Sequence, residues 1–232
     1  MPITTVGLDA DDTLWHNETL FRLTQDRFLD LLTDHDTEAV RARLAEVERR
    51  NLRLYGYGVK GFTLSMIETA MEMCDGEPPA GAIREILAAG REMLAHPVET
   101  LPGVDEALAR LSERYRLVLV TKGDLLDQER KLAASGLGEL FAAIEIVSEK
   151  DRTTYDRVFA RHGTGAAEAV MAGNSMRSDV LPALEAGAFA VHIPYAITWA
   201  YELADAPQDH PRYGALDRIA DLPDWIDARS DG

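Results

Sequence analysis

Five short apolar runs, each breaking off at a polar residue, glycine or proline, punctuate this chain: I-T-T-V-G-L before Asp9, L-V-L-V before Thr121, A-I-E-I-V before Ser148, A-V-M-A before Gly173 and F-A-V-H-I before Pro194. Runs of that length suit strands buried on both faces, the condition of a parallel sheet. Between the last four lie G-D-L-L-D-Q-E-R-K-L-A-A-S-G, D-R-T-T-Y-D-R-V-F-A-R-H-G and S-D-V-L-P-A-L-E-A-G, stretches of helical length closed by glycine. Strand and helix alternating in this way predict a doubly wound parallel α/β sheet, with helices on both faces and right-handed crossovers.

The rhythm fails once. From Trp15 to Glu99 no strand is legible, and a single crossover helix needs far fewer residues. E-T-L-F-R-L-T-Q-D-R-F-L-D-L-L, T-E-A-V-R-A-R-L-A-E-V-E-R-R, T-L-S-M-I-E-T-A-M-E-M and A-I-R-E-I-L-A-A-G-R-E-M-L carry apolar residues three and four apart, so the insertion reads as a small bundle of about four helices. Met66, Met71 and Met73 are expected in its core. The boundaries that follow are a sheet domain of residues 1–14 and 99–232 and a helical domain of residues 15–98. Near the C-terminus, A-P-Q-D-H-P-R-Y-G and D-A-R-S-D-G read as exposed trimming, with L-P-D-W-I docking back through Trp225.

The first run ends in D-A-D-D-T, with Asp9, Asp11 and Asp12 separated only by Ala10. Such crowded like charges need a cation, a proton or hydrogen-bond donors to hold them. A carboxylate at a strand end can ligate a metal, act as a nucleophile, or do both; the alternative is a cluster capping a helix start. The other strand ends bear on the choice, because ligands of open parallel sheets collect there. The second run delivers the Thr121 hydroxyl, the third the cation Lys150, and the fourth the amide Asn174 and the carboxylate Asp179. Together these are what a magnesium ion and a phosphate require.

Composition narrows the partners. Forty acidic residues against 24 basic ones give a formal charge of -16, which argues against general binding to nucleic acid or anionic membrane. No apolar run approaches the roughly 20 residues of a membrane helix. M-P-I-T-T-V lacks a basic region leading into an apolar segment, so the expected location is cytoplasmic. The single cysteine, Cys74, leaves no internal disulfide framework.

In their order and at successive strand ends, D-A-D-D-T, Thr121, Lys150 and G-N-S-M-R-S-D resemble the four motifs of the haloacid dehalogenase-like hydrolase superfamily, and the insertion resembles its first type of helical cap. The resemblance implies a Rossmann-like core with strand one central, flanked by the strands bearing Thr121 and Asn174. It implies a magnesium-dependent phosphatase acting on a small phosphorylated metabolite, as a monomer or homodimer. Asp9 is then the nucleophile and Asp11 the general acid and base, which must hold a proton at working pH. Asp9, Ala10, Asp11, Thr121, Lys122 and Lys150 would bind the phosphoryl group. Asp9 and Asp11, the latter through its carbonyl, would hold magnesium with Asn174 or Asp179. Many relatives have Gly-Asp where this chain has Gly173-Asn174. A 2-haloacid dehalogenase, which needs neither Asp11 nor magnesium, is the runner-up, with a phosphomutase and a non-catalytic phosphate-binding regulator behind. Trp15 at the hinge and Tyr55, Tyr57 and Lys60 in R-L-Y-G-Y-G-V-K-G-F are expected to meet the substrate.

Overall fold

The structure, a computed structural model, describes residues 2–230. In chain order the first elements are β1 (Thr5–Leu8), α1 (Glu18–Leu29), α2 (Thr37–Tyr55), α3 (Val59–Met73), α4 (Ala82–Ala95), α5 (Val104–Ser112) and β2 (Arg116–Lys122). There follow α6 (Leu125–Ser135), β3 (Ala143–Val147), α7 (Arg152–His162), β4 (Ala169–Gly173), α8 (Leu181–Glu185), β5 (Phe189–His192), β6 (Tyr213–Ala215) and α9 (Leu222–Ser230). Short 3-10 turns lie between several of them.

All strand pairings are parallel, in the order β3-β2-β1-β4-β5-β6. This is the doubly wound α/β sheet predicted, with β1 between β2 and β4. The period of two along each strand divides the core into two layers. Val6, Leu8, Leu117, Leu119, Val170, Ala172 and Val191 pack on one face against Leu108, Leu132 and Ile226. Val118, Val120, Met171 and Ala190 pack on the other against Tyr155, Val158, Phe159 and Ala183.

Two stretches depart from the sequence reading. Tyr213 and Gly214, the end of the stretch expected as surface trimming, form the sixth strand with Ala215: it pairs with β5, and Gly214 lies so close to Trp225 that a Cβ there would stand 2.5 Å from the indole. Three residues with one buried position carry no periodicity to read. Trp225 meets Phe189 edge-on at 6.3 Å, while Leu222 and Ile226 are fully buried, so L-P-D-W-I docks as expected. The second departure is α5, an amphipathic helix burying Val104, Ala107, Leu108 and Leu111 in a stretch the sequence reading assigned to no helix.

The chain divides into two compact units. The sheet unit takes the residues up to Glu18, Val98–Lys122 and those from Gln128 onward; the helical unit takes Thr19–Pro97 and Gly123–Asp127. In the helical unit Phe28, Leu32, Val40, Leu44, Phe62, Met66 and Ile86 form a core of their own. Met66 is fully buried and Met73 packs against this core, whereas Met71 is 40% exposed, turned off the apolar stripe. Asp36 caps α2 by accepting from the Ala39 amide at 2.9 Å. Among the described residues no helix is long and apolar enough to cross a membrane.

The docking of α9 gives a direct test. Ile226→Ala opens a cavity in a fully buried position and should cost about 2–5 kcal/mol of stability, read as a lower urea midpoint with little change in slope.

Candidate active site

The parallel register brings the site together. Leu8 stands level with Leu119 of β2 and Ala172 of β4, and the Asp9 amide continues the ladder by donating to the Ala172 carbonyl at 3.0 Å. Thr121 and Asn174 therefore flank Asp9, each a residue or so beyond it along a neighbouring strand. Lys150, from the loop after β3, reaches the same place: its Nζ donates to Asp9 Oδ1 at 2.5 Å and to Asp179 Oδ1 at 2.6 Å.

All three charges are buried, Asp9 at 6% exposure, Lys150 at 7% and Asp179 at 0%. Burial and the Asp179 charge push the Asp9 carboxyl up to about 7, against the pull of Lys150. Burial opposes the charge on Lys150 too, yet Asp179 and Asp9 outweigh it and raise the ammonium above its ordinary value. One cation between two carboxylates leaves a net negative charge. It is moderated by Thr13, whose hydroxyl donates to Asp9 Oδ2 at 3.2 Å, and by the Ser175 amide, which donates to Asp179 Oδ2 at 2.9 Å.

The turn G-N-S-M-R-S-D owes its shape to a single turn of π-helix, Met176–Val180, in which the Val180 amide reaches back five residues to the Ser175 carbonyl. Ser175 caps it by accepting from the Ser178 amide at 2.9 Å. This coil lays the Asp179 side chain over Gly173, where a Cβ would stand 2.2 Å from the carboxylate. Glycine is required there by contact, and Asp179 has both oxygens engaged as the partner of Lys150 and Ser175.

The three acids of D-A-D-D-T have separate tasks. Asp12, with φ at 62°, accepts from the amides of Asn17 at 2.8 Å and Glu18 at 3.0 Å and so caps the start of α1. Burial pushes its carboxyl up to about 7 in spite of those amides. Asp11 accepts from the Trp15 indole at 2.7 Å, Lys131 at 2.9 Å and Gln128 at 2.8 Å. Its backbone carbonyl has another neighbour. The Asn174 side-chain amide stands 3.2 Å from that oxygen and 3.1 Å from Asp9 Oδ2. With its nitrogen inward it donates to both; with its oxygen inward three oxygens converge beside the Thr13 hydroxyl, a set of hard donors that suits magnesium. Among the described residues no group of three or more His, Cys, Asp or Glu side chains is placed to hold a metal. This oxygen set draws instead on one carboxylate, one amide and one carbonyl.

Thr121 is buried at the end of β2, its hydroxyl on the Lys122 carbonyl at 3.2 Å. Lys122, expected at the phosphate, donates to Glu202 at 2.7 Å and to the Ser178 hydroxyl at 2.8 Å. The other Glu202 oxygen accepts from the hydroxyls of Ser175 and Ser178.

Trp15, expected at an entrance, is only 1% exposed: its ring is core and its N–H belongs to Asp11, so that expectation is corrected. In the helical unit Tyr55 donates to Glu68 at 2.8 Å, Lys60 to Asp124 at 2.9 Å, and Tyr57 is half-buried. Gln128, Lys131 and Glu202 were not picked out from the sequence. Gln128 and Lys131, three apart on α6, share a helix face that follows the second strand end. Glu202 has no comparable signal, being 80 residues from its lysine.

The sequence profile of the haloacid dehalogenase-like hydrolases matches residues 3–187. A haloacid dehalogenase-like family hydrolase from Xanthomonas campestris is 42% identical, with a TM-score of 0.89 over 99% of this chain and 93% of that one. A Bacillus subtilis protein designated HAD-hydrolase YfnB, described as bound to magnesium, is 16% identical with a TM-score of 0.68, covering 97% and 99% of the two chains. L-2-haloacid dehalogenase from Xanthobacter autotrophicus is 16% identical with a TM-score of 0.64, covering 97% and 98%. The last two likenesses show the fold alone. No curated protein matched.

The contact at Gly173 yields a prediction. Gly173→Ala forces Asp179 off Lys150 and should cost about 1–3 kcal/mol in chemical denaturation, while Ala172→Gly, on the same strand but away from the carboxylate, keeps the Lys150 pair.

Proposed function

This chain belongs to the haloacid dehalogenase-like hydrolases, and from that membership and the site's geometry we propose that it is a magnesium-dependent phosphatase of a small phosphomonoester, working through an aspartyl phosphate on Asp9. The observation that carries the reading is Asp11, a second carboxylate two residues beyond the nucleophile, oriented by Trp15, Gln128 and Lys131. Carbon–halogen cleavage has no use for such an acid, whereas an alkoxide leaving from phosphorus needs a proton.

In the first half-reaction an Asp9 oxygen bonds to phosphorus as the bond to the leaving oxygen breaks, and Asp11 protonates that oxygen. In the second, water attacks the aspartyl phosphate, gives its proton to Asp11 and frees Asp9. Lys150 and the Thr121 hydroxyl donate to the equatorial phosphoryl oxygens, and the Ala10 backbone completes the loop around them. Lys150 also fixes the Asp9 carboxylate through its 2.5 Å contact. Asp9, the Asp11 carbonyl and the amide oxygen of Asn174 fit magnesium, which when bound supplies the positive charge that lets an anionic phosphoryl group approach a carboxylate. Substrate choice falls to the helical unit, with Tyr55, Tyr57 and Lys60 as its reading surface. The substrate is a small cytoplasmic metabolite.

One feature favours the runner-up: Asn174 is neutral, which weakens a metal site, and a dehalogenase needs none. The assay therefore follows both products. Folded wild type should release phosphate from p-nitrophenyl phosphate and small phosphomonoesters with magnesium and not with chelator, Asp9→Asn should be inactive, and Asp11→Asn should lose about a hundredfold or more. Halide release from 2-chloropropionate without metal, and no phosphate from any ester, would overturn the reading.

A further inference from the structure

The pairing of Lys122 bears on substrate class, and the argument rests on the phosphatase reading. Lys122 directly follows Thr121 at the end of β2, and its ammonium bonds to Ser178 in the turn after β4. Those two strands flank β1, so the Lys122 side chain bridges the strands on either side of the one that presents Asp9. A cation there, directly after Thr121 and bonded to the residue before Asp179, would ordinarily make the site welcome a second anionic group on the substrate. Glu202 removes that possibility. Its carboxylate stands 2.7 Å from the ammonium, with Lys122 and Glu202 side chains only 10% and 13% exposed, and its second oxygen is filled by Ser175 and Ser178. Burial opposes the Glu202 charge, but Lys122 and the two hydroxyls outweigh it and hold the carboxyl below its ordinary value. The pair is thus a closed, neutral unit, so Lys122 offers a second anion beside the phosphoryl group no unmatched positive charge.

We infer that Glu202, acting through Lys122, is a specificity-determining residue: it selects phosphomonoesters whose alcohol carries no second anion beside the phosphoryl group, and rejects phosphoesters of hydroxy acids. Glu202 touches no reacting atom and is a positioning residue.

A matched pair of substrates tests it, 2-hydroxyethyl phosphate against 2-phosphoglycolate, which differ in a hydroxymethyl against a carboxylate. The readout is the ratio of their kcat/KM values, which a loss of folded protein leaves unmoved. Wild type should favour the neutral ester by at least about tenfold. Glu202→Gln, nearly isosteric, frees the Lys122 charge and should move the ratio about tenfold toward phosphoglycolate, chiefly through a lower KM for it. Lys122→Met leaves Glu202 unpaired and should move the ratio the opposite way, so the inference is tested even if one variant folds poorly. The double variant should return near the wild-type ratio. A wild type that prefers phosphoglycolate, or a Glu202→Gln variant that slows both esters in equal proportion, overturns the inference while leaving the phosphatase intact. Wild type inert toward both esters and toward p-nitrophenyl phosphate overturns the proposed function and this inference with it.

Discussion

Lys150 reaches from the loop after β3 across the end of β2 to Asp9 and Asp179, and much of the polar edge of the sheet is arranged around that reach. A buried ammonium between two buried carboxylates is not a large source of stability, because each charge has lost its water. What it fixes is position. Were Lys150 absent, two carboxylates would face one another in a nearly dry environment, so its ammonium ties the loop after β3 to the turn after β1 and the π-turn after β4. The glycine at 173 and the serine at 175 are the local concessions that let Asp179 enter it.

The same logic separates the acids that looked alike in the sequence. Asp12 is answered by amides, Asp11 by side-chain donors and Asp9 by a lysine, so each carboxylate meets a different chemistry within four residues of chain. The oxygens left facing one another are those of Asp9, the Asp11 backbone and Asn174. An amide can turn either its nitrogen or its oxygen to that cluster, which an aspartate cannot. Asn174 thus gives the cluster a way to remain satisfied without a cation.

The sheet was legible because burial on both faces writes short, unbroken apolar runs, and the insertion because four amphipathic stretches cannot be one crossover. The strand ends were legible for the same reason: apolar runs that stop at Asp9, at Thr121 and before Gly173 mark the edge of the sheet where its polar side chains collect. What escaped was short or distant. β6 has too few residues to show a period, and α5 was overshadowed by the proline and glycine before it. Trp15 was misplaced because adjacency to a motif says nothing of which way a ring turns. Glu202 and Lys122 meet only through tertiary folding, and Asp179, which sequence offered to the metal, is claimed by a lysine from another loop.

The central strand is also the first one made. β1 leaves the ribosome with neither neighbour available: β2 ends at residue 122 and β4 only at residue 173, with all four helices of the insertion in between. Through that interval T-V-G-L, apolar and prone to pair, has no partner of its own, the condition in which nascent chains stick to one another. The acids at positions 9, 11 and 12 follow it immediately, and charged residues flanking an apolar strand are what discourage such association. The carboxylates that crowd the end of β1 thus also stand where flanking charge disfavours pairing of an exposed apolar strand.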